Sequence, residues 1–213
     1  MFTNSVAAGS GGLPELGNLS YPQDLHIHTI FSDQDSSVVP EQTPELVARI
    51  GHAKVMGISD HFEHFADTAY DIYVERMRSL NLLAGTEVDG AASVDFATNL
   101  AFDYYIYHCR DHAADYAGAE RLLSTGRPVI IAHPNALQTN LDRVPDDCVV
   151  EINNRYIWRC DWHAYYRPHR SRFRFVISSD AHQPNWLSQS AARRAAAELG
   201  IRETNIRDVL TPV

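Results

Sequence analysis

Seven short apolar runs recur along this chain, and each stops at a histidine, an aspartate or a glutamate. Marked by His26, Asp60, Glu87, His108, His133, Glu151 and Asp180, these run-ends share six intervals over 154 residues, about 26 each. One strand, one three-turn helix and two short loops fill that length. Candidate strands lie at 24–28, 55–59, 83–87, 103–108, 128–132, 148–152 and 173–178. A repeated βα unit of this size predicts an α/β domain with a parallel sheet, open or closed into a barrel. Its functional residues then fall at the carboxyl ends of the strands.

The intervening stretches carry helix signals. Thr43-Pro44-Glu45 supplies a cap, a proline whose missing N–H costs nothing there and a carboxylate at the positive helix end. Leu46, Val47 and Ile50 follow as an apolar face, with Gly57 beyond the end. A second helix is expected over 186–199, with Leu187, Ala191, Ala195 and Leu199 on one stripe and Gly200 as its stop. Shorter helices are expected near 70–82 and 113–125. Residues 1–20, with Ala-Ala-Gly-Ser-Gly-Gly at 7–12, read as a flexible lead-in, which leaves 21–213 as a single domain.

Composition narrows the function classes. At 45% hydrophobic and 10% aromatic residues, the chain can bury one sizeable core and is not disordered. A net charge of −9 disfavours a long, sequence-independent nucleic-acid footprint while allowing a small anion held by metal or arginine. Cys109, Cys148 and Cys160 form no CxxC pair, which argues against a disulfide framework and a thiolate zinc site. No signal-peptide pattern and no stretch of 18 apolar residues is present, so a cytoplasmic protein without a membrane span is expected.

Histidine placement carries the chemistry. In Asp24-Leu25-His26-Ile27-His28-Thr29 a period of two puts Asp24, His26 and His28 on one strand face, where two imidazoles can share a metal. Ser179-Asp180-Ala181-His182 repeats that geometry. Ser59-Asp60-His61, Gly85-Thr86-Glu87, His108 after Tyr104 to Tyr107, and Ala132-His133-Pro134-Asn135 each follow an apolar run. Scattered surface histidines would not fall repeatedly at that one position. Imidazole and carboxylate ligands without thiolate suit Zn, Mn or Fe, and their number exceeds the needs of one ion. His52, His64, His112, His163 and His169 fit no such position and read as surface or core residues.

Taken in order, Asp-x-His-x-His-Thr, Ser-Asp-His, Gly-x-Glu, an isolated His, Ala-His-Pro, Glu-Ile-Asn and Ser-Asp-Ala-His resemble the PHP superfamily, the polymerase and histidinol phosphatase group of metal-dependent phosphoesterases. The resemblance runs from about residue 22 to 210. It implies a distorted (β/α)7 barrel with two or three divalent ions at the strand ends. By motif position, His26, His28, Glu87 and Asp180 hold one ion, Glu87 bridges to a second held by His108 and His133, and His61 and His182 hold a third. Asp33, five residues after His28, matches a further ligand position, although Gln34 replaces the glycine or histidine common beside it.

The resemblance implies hydrolysis of a phosphomonoester of a small metabolite or nucleotide. Paired ions polarise a phosphoryl oxygen and make hydroxide available at neutral pH, so no protein nucleophile is required. Glu87, His61 and Asp180 are the candidate catalytic residues; a third ion, or His61 in its place, would stabilise the leaving oxygen. Asp24 and Asp60 are either acceptors that orient ligand histidines or strand-end hydrogen bonds. Arg110 and Arg155 are either phosphate clamps at the barrel mouth or ordinary surface arginines. The aromatic, basic stretch from Tyr156 to Arg174 reads as a packing helix or a substrate-facing loop. Two other functions compete: an exonuclease on short single strands, stacking a base on Trp158, Trp162 or Tyr165, and a metal-binding regulatory module without turnover.

Overall fold

A computed structural model describes residues 20–64 and 69–210; the expected lead-in lies, apart from Ser20, outside the described residues. The strands are β1 (Tyr21–Asp24), β2 (Ala53–Ile58), β3 (Leu83–Ala84), β4 (Thr86–Val88), β5 (Tyr105–Tyr107), β6 (Val129–Ile131), β7 (Val149–Asn153) and β8 (Arg174–Ser178). All pair in parallel, in the orders β1-β2-β3 and β4-β5-β6-β7-β8. Parallel neighbours require crossovers. The helices are α1 (Pro44–Ile50), α2 (Ala69–Ser79), α3 (Val94–Ala97), α4 (Ala113–Leu123), α5 (Pro134–Leu137), α6 (Trp162–Tyr166) and α7 (Ser190–Leu199).

The run expected at 83–87 is split at Gly85 into β3 and β4. Gly85 N–H donates to the Ile58 carbonyl (2.8 Å) and Glu87 N–H to the Asp60 carbonyl (3.0 Å), so the backbone remains tied to the chain of β2. The first strand pairs earlier than expected, at 21–24, yet 25–28 stays bonded on two sides. Ser59 N–H donates to the Ile27 carbonyl (2.9 Å), Asp180 N–H to that of His26 (2.8 Å), and His28 N–H to that of Ala181 (2.9 Å).

Alternation of side chains then positions the site. Tyr104, Ile106 and His108 on and around β5, Val149, Glu151 and Asn153 on β7, and Val176, Ser178 and Asp180 along β8 each run from apolar to polar at period two. Leu25, Val55, Tyr104, Ile106, Ile130, Val149 and Val176 form one buried cluster, while Tyr105, Tyr107, Ile131, Val150, Ile152, Phe175 and Ile177 belong to a second.

Two helix expectations are corrected. Thr43 caps α1 by accepting from Leu46 N–H, but Gly51, at φ 59°, ends it; Gly57 lies in β2. Val47 is the buried residue of the expected face, whereas Ile50 is 43% exposed. On α7 the buried stripe is Ala192, Ala195, Ala196 and Leu199, not Ala191, and the helix starts only at Ser190. Leu187 follows a separate short 3-10 turn at Pro184–Trp186. Among the described residues no helix is long and apolar enough to cross a membrane.

Candidate metal centre

Glu87, fully enclosed at the end of β4, is the hub of the polar cluster. His108 Nε2 lies 2.6 Å, His26 Nε2 3.0 Å and His133 Nε2 3.6 Å from its Oε1. His61 Nδ1 lies 3.0 Å and His28 Nε2 3.4 Å from its Oε2. Despite three nitrogens this close, Oε1 accepts no hydrogen bond. The imidazole nitrogens also crowd one another, with 3.1 Å between the Nε2 atoms of His26 and His28 and 3.1 Å between those of His108 and His133. Ligands about 2.0–2.1 Å from one tetrahedral ion stand roughly 3.3 Å apart, so these separations match atoms that share an ion.

Three overlapping groups present ligand atoms within 4.8 Å of one another: His26, Glu87 and His133; His26, His28 and Asp180; His28, His61 and His182. All of these residues except His61 are buried. A buried carboxylate oxygen that faces several imidazole nitrogens without a hydrogen bond from any of them is chemistry that suits divalent cations, and the cluster is compatible with bound metal ions.

Supporting residues fix the ligands. Glu151, buried on β7, accepts from His26 Nδ1 (2.9 Å) with one oxygen and from His133 N–H (2.6 Å) and Asn153 Nδ2 (3.0 Å) with the other. Burial alone would raise its carboxyl, but His26 and the other donors hold it at about 2, so it stays ionised and leaves His26 Nε2 aimed into the site. Asn153 also donates to Asp180 Oδ2 (3.1 Å). Asp180 and His133 have φ of 56° and 24°, conformations that cost a non-glycine residue of order 1–3 kcal/mol and cluster at functional sites.

Asp60 holds the loop after the first strand. It accepts from Thr29 N–H (2.6 Å), Thr29 Oγ1 (2.6 Å) and Ser32 Oγ (2.7 Å), and Ser32 in turn lies 3.4 Å from His28 Nδ1. Burial pushes its carboxyl up to about 6 against these donors. Asp24 instead bonds His52 Nε2 (2.8 Å) and Ser179 N–H (3.0 Å), a structural tie that also accounts for one of the histidines outside the motifs.

The structure does not bring Asp33 into the cluster: it is exposed and lines no part of the cavity. Asp35 is there instead. Its N–H donates to the Ser32 carbonyl in a turn (2.9 Å), and its Oδ2 lies 3.0 Å from His182 Nε2 and 3.3 Å from His61 Nε2. The Ser-Asp-Gln-Asp run offers two carboxylates two residues apart, and the turn that chooses between them is set by the burial of Ser32 against Asp60. Asp35→Asn should therefore lower metal bound per chain, while Asp33→Asn should leave it at the wild-type level; elemental analysis of both variants checks this.

A cavity of about 340 Å³ opens over the cluster, lined by His28, Asp35, His61, Glu87 and His182 on the ligand side. Its rim carries Arg110, Arg155, Arg159, Tyr156 and Asp89. Arg110 pairs with Asp89 (2.6 Å), and Arg155 Nη1 lies 3.5 Å from Asp180 Oδ1 and 3.2 Å from the His182 ring nitrogens. Arg110 and Arg155 stand out individually in the sequence and Tyr156 and Arg159 only as part of the aromatic, basic stretch, whereas Asp35 and the anchoring role of Glu151 do not. Within the Tyr156–Arg174 stretch, Tyr156 and Arg159 line the cavity, while Tyr166 is buried and donates to the Glu151 carbonyl (3.0 Å).

Neighbouring carboxylates hold protons on the imidazoles of the cluster. Burial alone would lower His61 and His108, but Glu87 and Asp35 raise the first to about 9, and Glu87 and Asp89 raise the second to about 10. Their pairing therefore stabilises the fold fully below the unfolded value near 6.5, and that contribution is lost as pH rises through 9–10. A cation must displace these protons. At pH 7.5 metal loading is expected to release protons, measurable by calorimetry in buffers of different protonation enthalpy, and affinity should climb with pH. No family model and no curated protein matches the chain.

Proposed function

We propose that this chain is a metal-dependent phosphoesterase of the PHP type that hydrolyses phosphomonoesters. The observation that carries the reading is a ligand cluster centred on Glu87 at the floor of a cavity rimmed by three arginines. The backbone bonds linking 26–28 to 180–181 on one side and to Ser59 on the other support closure of the sheet into a (β/α)7 barrel, with the cavity at its carboxyl end.

In this reading His26, His28, Glu87 and Asp180 would hold one divalent ion, Glu87, His108 and His133 a second, and His61, His182 and Asp35 a third. Bound ions supply Lewis acidity and lower the pKa of water. The protein's own groups do the rest. Arg155 and Arg159 bind and orient the phosphoryl oxygens, and fork-shaped guanidinium donors suit that task. Asn153 fixes Asp180 Oδ2, and Oδ1, facing His26, His28 and Arg155, is the ligand atom. Where no third ion is held, His61, between Glu87 and Asp35, would take its place and give a proton to the leaving oxygen. Ligand carboxylates make up part of the net charge of −9, so overall acidity and a phosphate site are compatible.

The test is release of phosphate from p-nitrophenyl phosphate and a panel of phosphomonoesters before and after chelation. Turnover that chelator abolishes and Zn, Mn or Fe restores supports the reading. Stoichiometric metal without turnover on any ester would favour the regulatory module.

A further inference from the structure

Beside the phosphate cavity lies a second one of about 290 Å³, lined by Asn154, Arg155, Trp158, Ser179, Trp186 and Ser188 among others. Arg155 lines both cavities. Its guanidinium lies 5.0 Å from the centre of the Trp186 ring and 5.2 Å from that of Tyr156, and the Trp186 ring is 6.0 Å from His182. The second cavity thus begins where the candidate metal centre ends.

Its lining is specific. Trp158 sits on a 3-10 turn at Ile157–Arg159 and is 69% exposed, the most exposed large hydrophobic side chain among the described residues. Its indole meets the Arg159 guanidinium 5.6 Å from the ring centre and otherwise faces water, so most of a flat stacking surface lies open beside a polar site. Trp186, from the turn at Pro184–Trp186, supplies a second ring. Ser179 supplies the polar element: it is 1% exposed, lines this cavity, and its Oγ has no hydrogen-bond partner. Two indoles with one orphaned hydroxyl suit a flat ring that carries heteroatoms on its edge. The cavity on the opposite flank, around Arg110, Asp111, His112 and Gln138, offers no aromatic six-membered or indole ring.

We propose that the substrate is a mononucleotide whose base seats in the Trp158–Trp186 cavity, with Arg155 between base and phosphate. This rests on the phosphoesterase reading for the phosphate end. Cavities of about 340 and 290 Å³ joined at one residue hold a ligand of that size, since small-molecule sites run roughly 300–1,000 Å³. Stacking on aromatic side chains is worth enough to change affinity by about fivefold or more per base.

The experiment uses the full chain loaded with Mn²⁺, with adenosine 5′-monophosphate, ribose 5-phosphate and adenosine as probes. Wild type is expected to favour adenosine 5′-monophosphate over ribose 5-phosphate by at least about fivefold in kcat/KM, and Trp158→Ala to collapse that ratio towards one while Trp158→Phe keeps most of it. Adenosine alone should quench tryptophan fluorescence, with its Kd raised at least about fivefold in Trp158→Ala. Equal kcat/KM for the two esters, or a ratio and Kd that Trp158→Ala does not move, overturns the subsite. Faster cleavage of a short oligonucleotide than of the mononucleotide overturns the substrate class. Absence of hydrolysis with Trp158-dependent adenosine binding intact would sink the phosphoesterase reading and keep the base site; hydrolysis of both esters without adenosine binding would do the reverse.

Discussion

Glu87→Gln is expected to lower phosphomonoester turnover by about 10³-fold, as losing a principal electrostatic contact in an active site does. Two properties of the residue set this size. Its oxygens are the meeting point of five imidazoles, so no single histidine substitution touches as many partners. Moreover, an amide of the same shape keeps the packing while withdrawing the negative charge and one acceptor oxygen. Burial alone would raise the Glu87 carboxyl, yet His108, His26 and His28 hold it well below the usual range, so charge is what the change removes. Loss of turnover together with a lower metal content, at an unchanged circular dichroism spectrum, is the expected pattern. Near-normal kcat with full metal content would remove Glu87 from the centre of the site.

The largest stability effect is expected from Gly85→Ala. A methyl group there would overlap the Tyr104 ring, as would one at Gly57 on the neighbouring strand. Tyr104 cannot give way: it is fully buried, and its hydroxyl donates to the Leu25 carbonyl (2.7 Å) between the first two strands. Overpacking of this kind costs about 1–3 kcal/mol, which for a domain of this size lowers Tm by roughly 2–12 °C. Gly85 also precedes Glu87 by two residues, so strain there displaces the hub of the site. Gly126→Ala, where nothing lies within 4 Å, controls for removing a glycine, although its φ of 75° carries its own backbone cost. A melting curve for Gly85→Ala that overlays wild type would contradict this packing.

Residues on regular strands were readable because period two is a covalent property of extended chain. His26 and His28, Glu151 beside Asn153, and the run from Tyr104 to His108 fall where alternation puts them. Residues placed by turns were not readable. Asp35 rather than Asp33 reaches His61 and His182 because Ser32 turns the chain and bonds Asp60, a contact with a residue 28 positions away. Asp24 shares the parity of His26 yet serves His52 and Ser179, because parity chooses a face and not a partner. The end of α1 shows the same limit on a smaller scale. Gly51 and Gly57 both suit a helix stop by composition, and only the positive φ of Gly51 decides between them.

The cavity was the least legible part. Trp158 and Arg159 come from one 3-10 turn, Arg155 from the turn just before it and Trp186 from a second 3-10 turn, and their rings and guanidinium groups meet only after β7 and β8 have paired. Their chemistry was visible in the sequence as an aromatic, basic stretch. Their shared cavity was not.

The central claim is that the cluster around Glu87 is a multinuclear metal centre, and counting the metal tests it most directly. Protein purified without chelator, then stripped and titrated with Mn²⁺ or Zn²⁺, should bind at least two ions per chain by elemental analysis, and loading should raise Tm because cations bind the folded chain preferentially. Less than one ion per chain, with a melting temperature unmoved by added metal, would contradict it.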